Sequence, residues 1–126
     1  MKSVQLKTRF VAVVDDDESV RSAIFGALTS VGLHARLFGS AEEFLDSNLQ
    51  SETACLISDL QLPGMSGLDL QTKVAEDGWR TPIIFITAYG DPKMRAQAMR
   101  AGAIEFLDKP FDDNFLLDTV RTIVGT

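Results

Sequence analysis

The stretch Phe10–Glu18, FVAVVDDDE, decides the fold of this chain. Its first five residues are apolar and rich in valine, as expected for a strand buried on both faces of a parallel sheet. Four acids follow that strand directly. Open α/β sheets bind ligands at the carboxyl ends of their strands, so acids in this position indicate more than a solvated loop. The stretch predicts an α/β fold with a charged site at the end of its first strand.

The rest of the chain continues this alternation. Short apolar runs alternate with helix-like segments, which is the pattern of parallel βαβ units. Because right-handed crossovers favour an open sheet, we predict a doubly wound, five-stranded parallel sheet of order 2-1-3-4-5, the flavodoxin-like architecture. The five predicted strands are Phe10–Val14, Ala35–Leu37, Ala54–Ser58, Pro82–Thr87 and Ile104–Asp108.

Five helices are predicted between and after these strands. The first contains apolar residues at helical spacing over Val20–Val31 and ends at Gly32. Ser40 and Glu43 have the spacing of a capping box that opens the second helix. The remaining helices are predicted over Leu68–Asp77, over Lys93–Ala101 and after a cap at Asp112.

Length, charge and cysteine content limit the classes of function. The 126 residues fit one domain, 1–126, and the 45% of apolar residues can fill its core. The net charge of −6 repels the phosphate backbone of a nucleic acid, so we expect no nucleic-acid binding by this domain itself. No apolar run reaches the roughly 20 residues that span a bilayer, so no membrane association is expected. The single cysteine, Cys55, and the lack of a secretory signal predict a cytoplasmic protein.

Polar or charged residues stand at the ends of the central strands. Asp15 and Asp16 follow the first strand, Asp59 the third, Thr87 ends the fourth, and Lys109 follows the fifth. In the predicted sheet these side chains meet in one crevice. Three carboxylates held close together repel one another, and a hard divalent cation removes that conflict. Magnesium prefers oxygen ligands and keeps several waters, so we predict a Mg²⁺ site here.

The same crevice predicts phosphoryl chemistry. A carboxylate can attack phosphorus and form an acyl phosphate. Phosphoryl transfer depends mainly on positioning and on cations near the equatorial oxygens, which Mg²⁺ and Lys109 would supply. The hydroxyl of Thr87 can donate a hydrogen bond to a phosphoryl oxygen.

Four segments together resemble the receiver domain of two-component response regulators over essentially the whole chain. They are Val13–Arg21 (VVDDDESVR), Ser58–Leu70 (SDLQLPGMSGLDL), Phe85–Asp91 (FITAYGD) and Ala101–Phe111 (AGAIEFLDKPF). The LPGMSG and KPF sequences within them resemble the FixJ-type subfamily.

The resemblance implies a role for each matching residue. It makes Asp59 the phosphoryl acceptor and Lys109 the family's lysine beside that acceptor. It makes Thr87 the switch hydroxyl and Phe106 the switch aromatic. It also implies that the peptide bond before Pro110 is cis. The implied metal ligands are Asp16 directly, Asp15 through a water, Asp59, and the backbone carbonyl of Gln61.

The resemblance further implies a signalling partner and an output. A sensor histidine kinase would supply the phosphoryl group, and self-catalysed hydrolysis would reset the switch, so no enzymatic activity on a separate substrate is expected. The face of strand 4, helix 4 and strand 5 would then bind a partner or form a phosphorylation-dependent homodimer. FixJ-type relatives carry a DNA-binding domain beyond this point. The sequence fits either an excised fragment or a stand-alone receiver; we favour the fragment, with transcription as its output.

Three other functions share part of the pattern. A haloacid-dehalogenase-type phosphatase also uses an aspartyl phosphate and Mg²⁺, and Asp15-x-Asp17 mimics its short nucleophile motif, but Asp59 would then have no role. An interaction module that has lost phosphorylation would have the same fold, and the intact set of site residues argues against it. A flavodoxin-like cofactor binder needs a loop rich in Ser, Thr and Gly after the first strand, where this chain is acidic.

Overall fold

The computed structural model of this chain describes residues 9–125. Its strands are β1 Phe10–Val14, β2 Ala35–Phe38, β3 Thr53–Asp59, β4 Ile83–Thr87 and β5 Glu105–Asp108. They form one parallel sheet in the order β2-β1-β3-β4-β5, so the predicted topology is confirmed. The strand bounds differ from the predicted ones by one residue at most. The predicted domain 1–126 also includes residues 1–8 and 126, which lie outside the described range, so its outer bounds stay a prediction.

The sheet separates two hydrophobic cores because successive strand residues point to opposite faces. Strand β1 lies between β2 and β3, and Val13 pairs with Leu37 on one side and Ile57 on the other. All residues of β1 and β4 are buried, and all but Thr87 at the end of β4 are apolar, as expected for strands covered on both faces. One core is rich in aromatic residues, and the other is aliphatic.

Helices cover both faces of the sheet. They are α1 Glu18–Ser30, α2 Ala41–Asp46, α3 Gly67–Glu76, α4 Pro92–Arg100 and α5 Asp113–Val124. Helices α1 and α5 contribute to the aliphatic core, and α2, α3 and α4 contribute to the aromatic one. Within the described residues, no helix is both long enough and apolar enough to cross a membrane.

The predicted capping box of α2 is only half correct. The Ser40 hydroxyl accepts a hydrogen bond from the Glu43 amide at 3.0 Å, as predicted. The Glu43 carboxylate, however, accepts from the amide of Gly39 at 2.6 Å rather than from that of Ser40. With the Ser40 backbone extended at φ −155° and ψ 162°, the preceding amide is the one within reach. A complete capping box opens α3 instead, between Ser66 and Asp69.

Candidate functional site

The carboxyl edge of the sheet brings the predicted site residues together. Asp15 and Asp16 follow β1, and Asp59 is the last residue of β3. One carboxylate oxygen from each of these three residues lies within 4.8 Å of the others. Thr87 ends the adjacent strand β4, and Lys109 follows β5. Parallel strands therefore place residues that are distant in sequence around one crevice, as the strand-end pattern predicts.

Lys109 bridges two of the carboxylates. Its Nζ lies 2.9 Å from Asp15 Oδ2 and 2.9 Å from Asp59 Oδ2. The Lys109 side chain is 18% exposed, whereas Asp15 is fully buried and Asp59 is 6% exposed. These distances and the low exposure place the ammonium group inside the crevice rather than at its rim. The peptide bond between Lys109 and Pro110 is cis, as the resemblance implied.

The second oxygen of each bridged carboxylate is held by the backbone. Asp15 Oδ1 accepts a hydrogen bond from the Asp17 amide at 2.9 Å. Asp59 Oδ1 accepts one from the Gln61 amide, also at 2.9 Å. In both cases the carboxylate accepts from the backbone amide two residues later, a local geometry that aspartate favours in turns. Each carboxylate is consequently fixed at both of its oxygens, and the Oδ2 atoms face Lys109.

Burial and charge act in opposite directions at this site. Burial raises the pKa of Asp15 above 3.8, and the hydrogen bonds from Asp17 and Lys109 only partly offset it. Burial alone would lower the pKa of Lys109, but the hydrogen bonds to Asp59 and Asp15 outweigh it and raise that pKa. The ammonium group is thus stabilised, while the buried Asp15 carboxylate is still disfavoured. Three carboxylates around one lysine leave two net negative charges, the charge of one divalent cation.

Replacing Asp15 with asparagine should therefore stabilise the metal-free protein. Because the pKa of Asp15 is raised in the folded state, the native state binds this proton more tightly than the unfolded state, and stability falls as the pH rises through the folded-state pKa. We expect Asp15→Asn to increase the free energy of unfolding by about 0.5–2 kcal/mol at pH 7, the usual size of a stabilising substitution. Urea unfolding in EDTA measures this, with the exposed Asp16→Asn as control. An unchanged or lower stability of Asp15→Asn would contradict the electrostatic account.

Thr87 and Phe106 lie on the adjacent strands β4 and β5. Phe106 pairs in register with Phe85, two residues before Thr87, so all three side chains point to the same face of the sheet. Thr87 is fully buried, and its hydroxyl oxygen accepts a hydrogen bond from the Tyr89 amide at 3.2 Å. The guanidinium carbon of Arg95 lies 5.2 Å from the centre of the buried Phe106 ring. The switch roles predicted for Thr87 and Phe106 stay predictions.

Asp17 has a structural role that removes it from the site. Its side chain is the N-cap of α1 and accepts hydrogen bonds from the amides of Ser19 and Val20 at 2.9 and 3.4 Å. Asp17 therefore serves as the cap of this helix. The Asp15-x-Asp17 motif of the phosphatase alternative would need Asp17 as a reacting group, and the structure uses it at a helix end instead.

Two supporting residues escaped the sequence analysis. The guanidinium group of Arg21 on α1 donates to the backbone carbonyl of Asp15 at 2.6 Å and so holds the backbone between the two aspartates. Gly67 opens α3 so close to β3 that a Cβ there would collide with the carbonyl oxygen of Asp59. The Ser-Gly pair before the third helix indicates a tight turn at Gly67. The sequence around Arg21 predicts only a helix, because the contact of Arg21 with Asp15 spans a loop.

Comparison with known proteins places the chain in a family. Residues 11–121, from β1 into α5, match the family described as "Response regulator receiver domain". The chain is a response-regulator receiver domain. The resemblance seen in the four sequence segments is thereby confirmed. Receiver domains are signalling switches of two-component systems, and members of this family do not in general act as enzymes on separate substrates.

Several curated proteins align with most of this receiver at high sequence identity. Nodulation protein W of Bradyrhizobium diazoefficiens is 50% identical over 110 residues, which are 87% of this chain and 48% of that protein. Transcriptional regulatory protein FixJ of Azorhizobium caulinodans is 37% identical over 115 residues, which are 91% of this chain and 54% of that protein. The receiver thus spans about half the length of the curated relatives it matches.

Solved structures show the same fold. The crystal structure of FixJ-N has a TM-score of 0.82 and 33% identity, over 95% of this chain and 96% of that one. The response regulator StyR has a TM-score of 0.87 and 42% identity, over 94% of this chain and 60% of that one. The FixJ-type resemblance and the predicted fold are both supported by these neighbours.

Proposed function

We propose that this receiver accepts a phosphoryl group on Asp59 in a Mg²⁺-dependent reaction. One observation carries the proposal: the Asp59 carboxylate lies 2.9 Å from the Lys109 ammonium and within 4.8 Å of the oxygens of Asp15 and Asp16. A nucleophile, a cation and two further oxygen ligands thus surround one point at the end of β3. This is the set of groups that phosphoryl transfer to a carboxylate requires.

The residues present fit a magnesium ion. Carboxylate oxygens are the ligands that Mg²⁺ prefers, and the two net negative charges of the crevice match its charge. When bound, Mg²⁺ would neutralise the charge that builds up on the phosphoryl oxygens. The proposed ligands are Asp16 directly, Asp15 through a water, Asp59, and the backbone carbonyl of Gln61.

The side chains then divide the chemistry among themselves. One oxygen of Asp59 forms a bond to phosphorus as the bond between phosphorus and the donor breaks, which leaves an acyl phosphate. The Gln61 amide holds the other carboxylate oxygen and orients the nucleophile. Lys109, already 2.9 Å from Asp59, would pair with a phosphoryl oxygen once that group arrives. Attack of water on the acyl phosphate would release inorganic phosphate and reset Asp59.

Phosphorylation would be read out through Thr87 and Phe106. The Thr87 hydroxyl would leave the Tyr89 amide and donate to a phosphoryl oxygen. Phe106, on the same face of the sheet, would then fill the space that Thr87 vacates. This rearrangement would repack the face made by β4, α4 and β5, a two-state element biased by a local change in charge.

A first test of the metal site is the effect of Mg²⁺ on stability. A ligand that binds only the native state at 100 times its dissociation constant adds about 2.7 kcal/mol. We expect Mg²⁺ to raise the melting temperature of the unmodified protein, and to have little effect on Asp16→Asn. The control Glu18→Gln removes an exposed acid from the first turn of α1 and should respond like the unmodified chain. No response of the unmodified chain would favour an interaction module that has lost phosphorylation.

The repacked face would also be the surface for partners or for a phosphorylation-dependent homodimer. Met99 on α4 and Ile104 before β5 are 40% and 45% exposed there. We expect Met99→Ser to weaken the association of the protein with Mg²⁺ and beryllofluoride, measured by light scattering. Phe25→Ser on α1, at an equally exposed apolar position, is the control. If Met99→Ser associates as strongly as Phe25→Ser, the surface is misplaced.

The partners of the whole protein follow from the relatives. We propose a sensor histidine kinase as the phosphoryl donor in the cytoplasm, and an output domain beyond this receiver. Relatives named as transcriptional regulatory proteins are about twice as long as the matched region, which supports transcription as the output. With a net charge of −6, the receiver itself would not bind DNA. Phosphoryl transfer from candidate kinases to the purified chain tests the donor.

A further inference from the structure

The loop that follows the phosphoryl acceptor is held from outside by a residue of α2. The amide of Met65 donates a hydrogen bond to Glu42 Oε2 at 2.9 Å, across 23 positions in sequence. The backbone of Gly64, at φ +75°, leaves the space that this carboxylate occupies, since a Cβ there would lie 2.6 Å from Glu42 Oε2. The loop is therefore shaped around the Glu42 carboxylate.

The same loop connects Asp59 with the start of α3. Leu60 at its beginning is fixed by a backbone hydrogen bond from its amide to Ile86 on β4. Gly67 at its end donates to the Leu60 carbonyl at 2.9 Å, which closes the loop on itself. Leu62 and Met65 pack their side chains against the aromatic core, to which α2 also contributes. Glu42 adds a polar contact from α2 to the backbone at the exposed side of the loop.

We infer that Glu42 is a positioning residue for the metal site. This inference rests on the proposed function, because the loop carries Gln61, whose carbonyl is proposed as a metal ligand. Groups that hydrogen-bond directly to a metal ligand usually change metal affinity by about 10- to 100-fold. Glu42 bonds to Met65 rather than to Gln61 itself, so its effect should be smaller. By fixing Met65, Glu42 restricts the backbone between Leu60 and Gly67 and hence the direction of the Gln61 carbonyl.

Helix α2 is itself anchored so that it can serve this purpose. Ser40 caps it, and Glu43 ties its first turn to the amide of Gly39 at 2.6 Å. Phe44 of α2 is buried and meets the Phe38 ring edge-on at 5.3 Å between ring centres. Glu42 thus projects from a short helix that is itself fixed, and its hydrogen bond with Met65 fixes the loop relative to that helix.

Three variants separate the hydrogen bond from the charge. Glu42→Ala removes both, whereas Glu42→Gln removes the charge and keeps an oxygen that can accept from Met65. Asp46→Ala removes a charge from the same helix at an exposed position, and the Asp46 carboxylate has no hydrogen-bond or ion-pair partner among residues 9–125. Mg²⁺ binding to the 126-residue chain by titration calorimetry is the readout, with the half-saturating acetyl phosphate concentration at excess Mg²⁺ as a second measurement.

We expect Glu42→Ala to raise the Mg²⁺ dissociation constant about 3- to 10-fold. Glu42→Gln and Asp46→Ala should stay within about twofold of the unmodified chain, and the acetyl phosphate requirement should not change. Equal loss of affinity in Glu42→Gln and Glu42→Ala would reduce the effect to charge and overturn the inference. Unchanged affinity in Glu42→Ala would overturn it too. If the unmodified chain binds no Mg²⁺, the proposed function fails together with it.

Discussion

Replacement of Asp59 with asparagine is expected to abolish labelling of this receiver by acetyl phosphate. The amide is isosteric and can still accept the hydrogen bond from Gln61, but it is not a nucleophile towards phosphorus. Loss of the attacking group should reduce the rate of labelling by more than about 1,000-fold, because the other groups of the site accelerate the reaction only together with the nucleophile. Intact mass spectrometry of protein incubated with acetyl phosphate and Mg²⁺ measures the loss of the added phosphoryl group.

A matched control for this variant exists at another strand end on the same edge of the sheet. Asp108 is the last residue of β5, is exposed, and lies outside the group of three carboxylates. Asp108→Asn removes the same charge at the same edge of the sheet and should be labelled like the unmodified chain. Retained labelling in Asp59→Asn, or equal losses in both variants, would contradict the assignment of the acceptor.

Replacement of Lys109 with alanine is expected to have the second largest effect. Lys109 is the cation that contacts both Asp15 and Asp59, and no other residue in the described part of the chain forms an ion pair with either. Removal of a preorganised group that stabilises charge in a transition state usually costs about 100- to 1,000-fold in rate. We expect a loss of that size in the rate of labelling by acetyl phosphate at saturating Mg²⁺. Lys93→Ala, at an exposed position on α4, is the control.

Arginine should not restore the activity of the Lys109 variant. The crevice holds a compact ammonium group between two carboxylate oxygens at equal distances of 2.9 Å, and the planar guanidinium group has a different size and geometry. Full activity of Lys109→Arg would show that the position needs only a positive charge. Full activity of Lys109→Ala would remove Lys109 from the proposed mechanism.

The sequence predicts the fold because the strands carry strong and simple signals. The buried runs at Phe10–Val14 and at residues 83–86 are uniformly apolar, and such runs mark strands covered on both faces. Right-handed connections favour an open doubly wound sheet, and 2-1-3-4-5 is the common strand order of its small version, so the order needs no knowledge of side-chain packing. The site was predictable to the same extent, because Asp15, Asp59 and Thr87 are strand-end residues and the topology places strand ends together.

The contacts that support the site were not predictable in this way. Glu42 meets Met65 across 23 positions, and Arg21 on α1 meets the carbonyl of Asp15. Side chains that bond to a distant backbone amide or carbonyl, as Glu42 and Arg21 do, leave no periodic pattern in the sequence. The capping box of α2 failed for a related reason: the choice between the amides of Gly39 and Ser40 depends on the local backbone, which the residue types do not specify.

The most direct test of the central claim is to locate the phosphoryl group chemically. The chain is incubated with acetyl phosphate and Mg²⁺, and borohydride then reduces an acyl phosphate to the corresponding alcohol. Peptide mass spectrometry identifies the residue that has been reduced. We expect residue 59 to be converted to homoserine. The conversion should need Mg²⁺, and EDTA should prevent it. Reduction at Asp15, at Asp16 or at another residue, or none at all in the presence of Mg²⁺, would contradict this expectation.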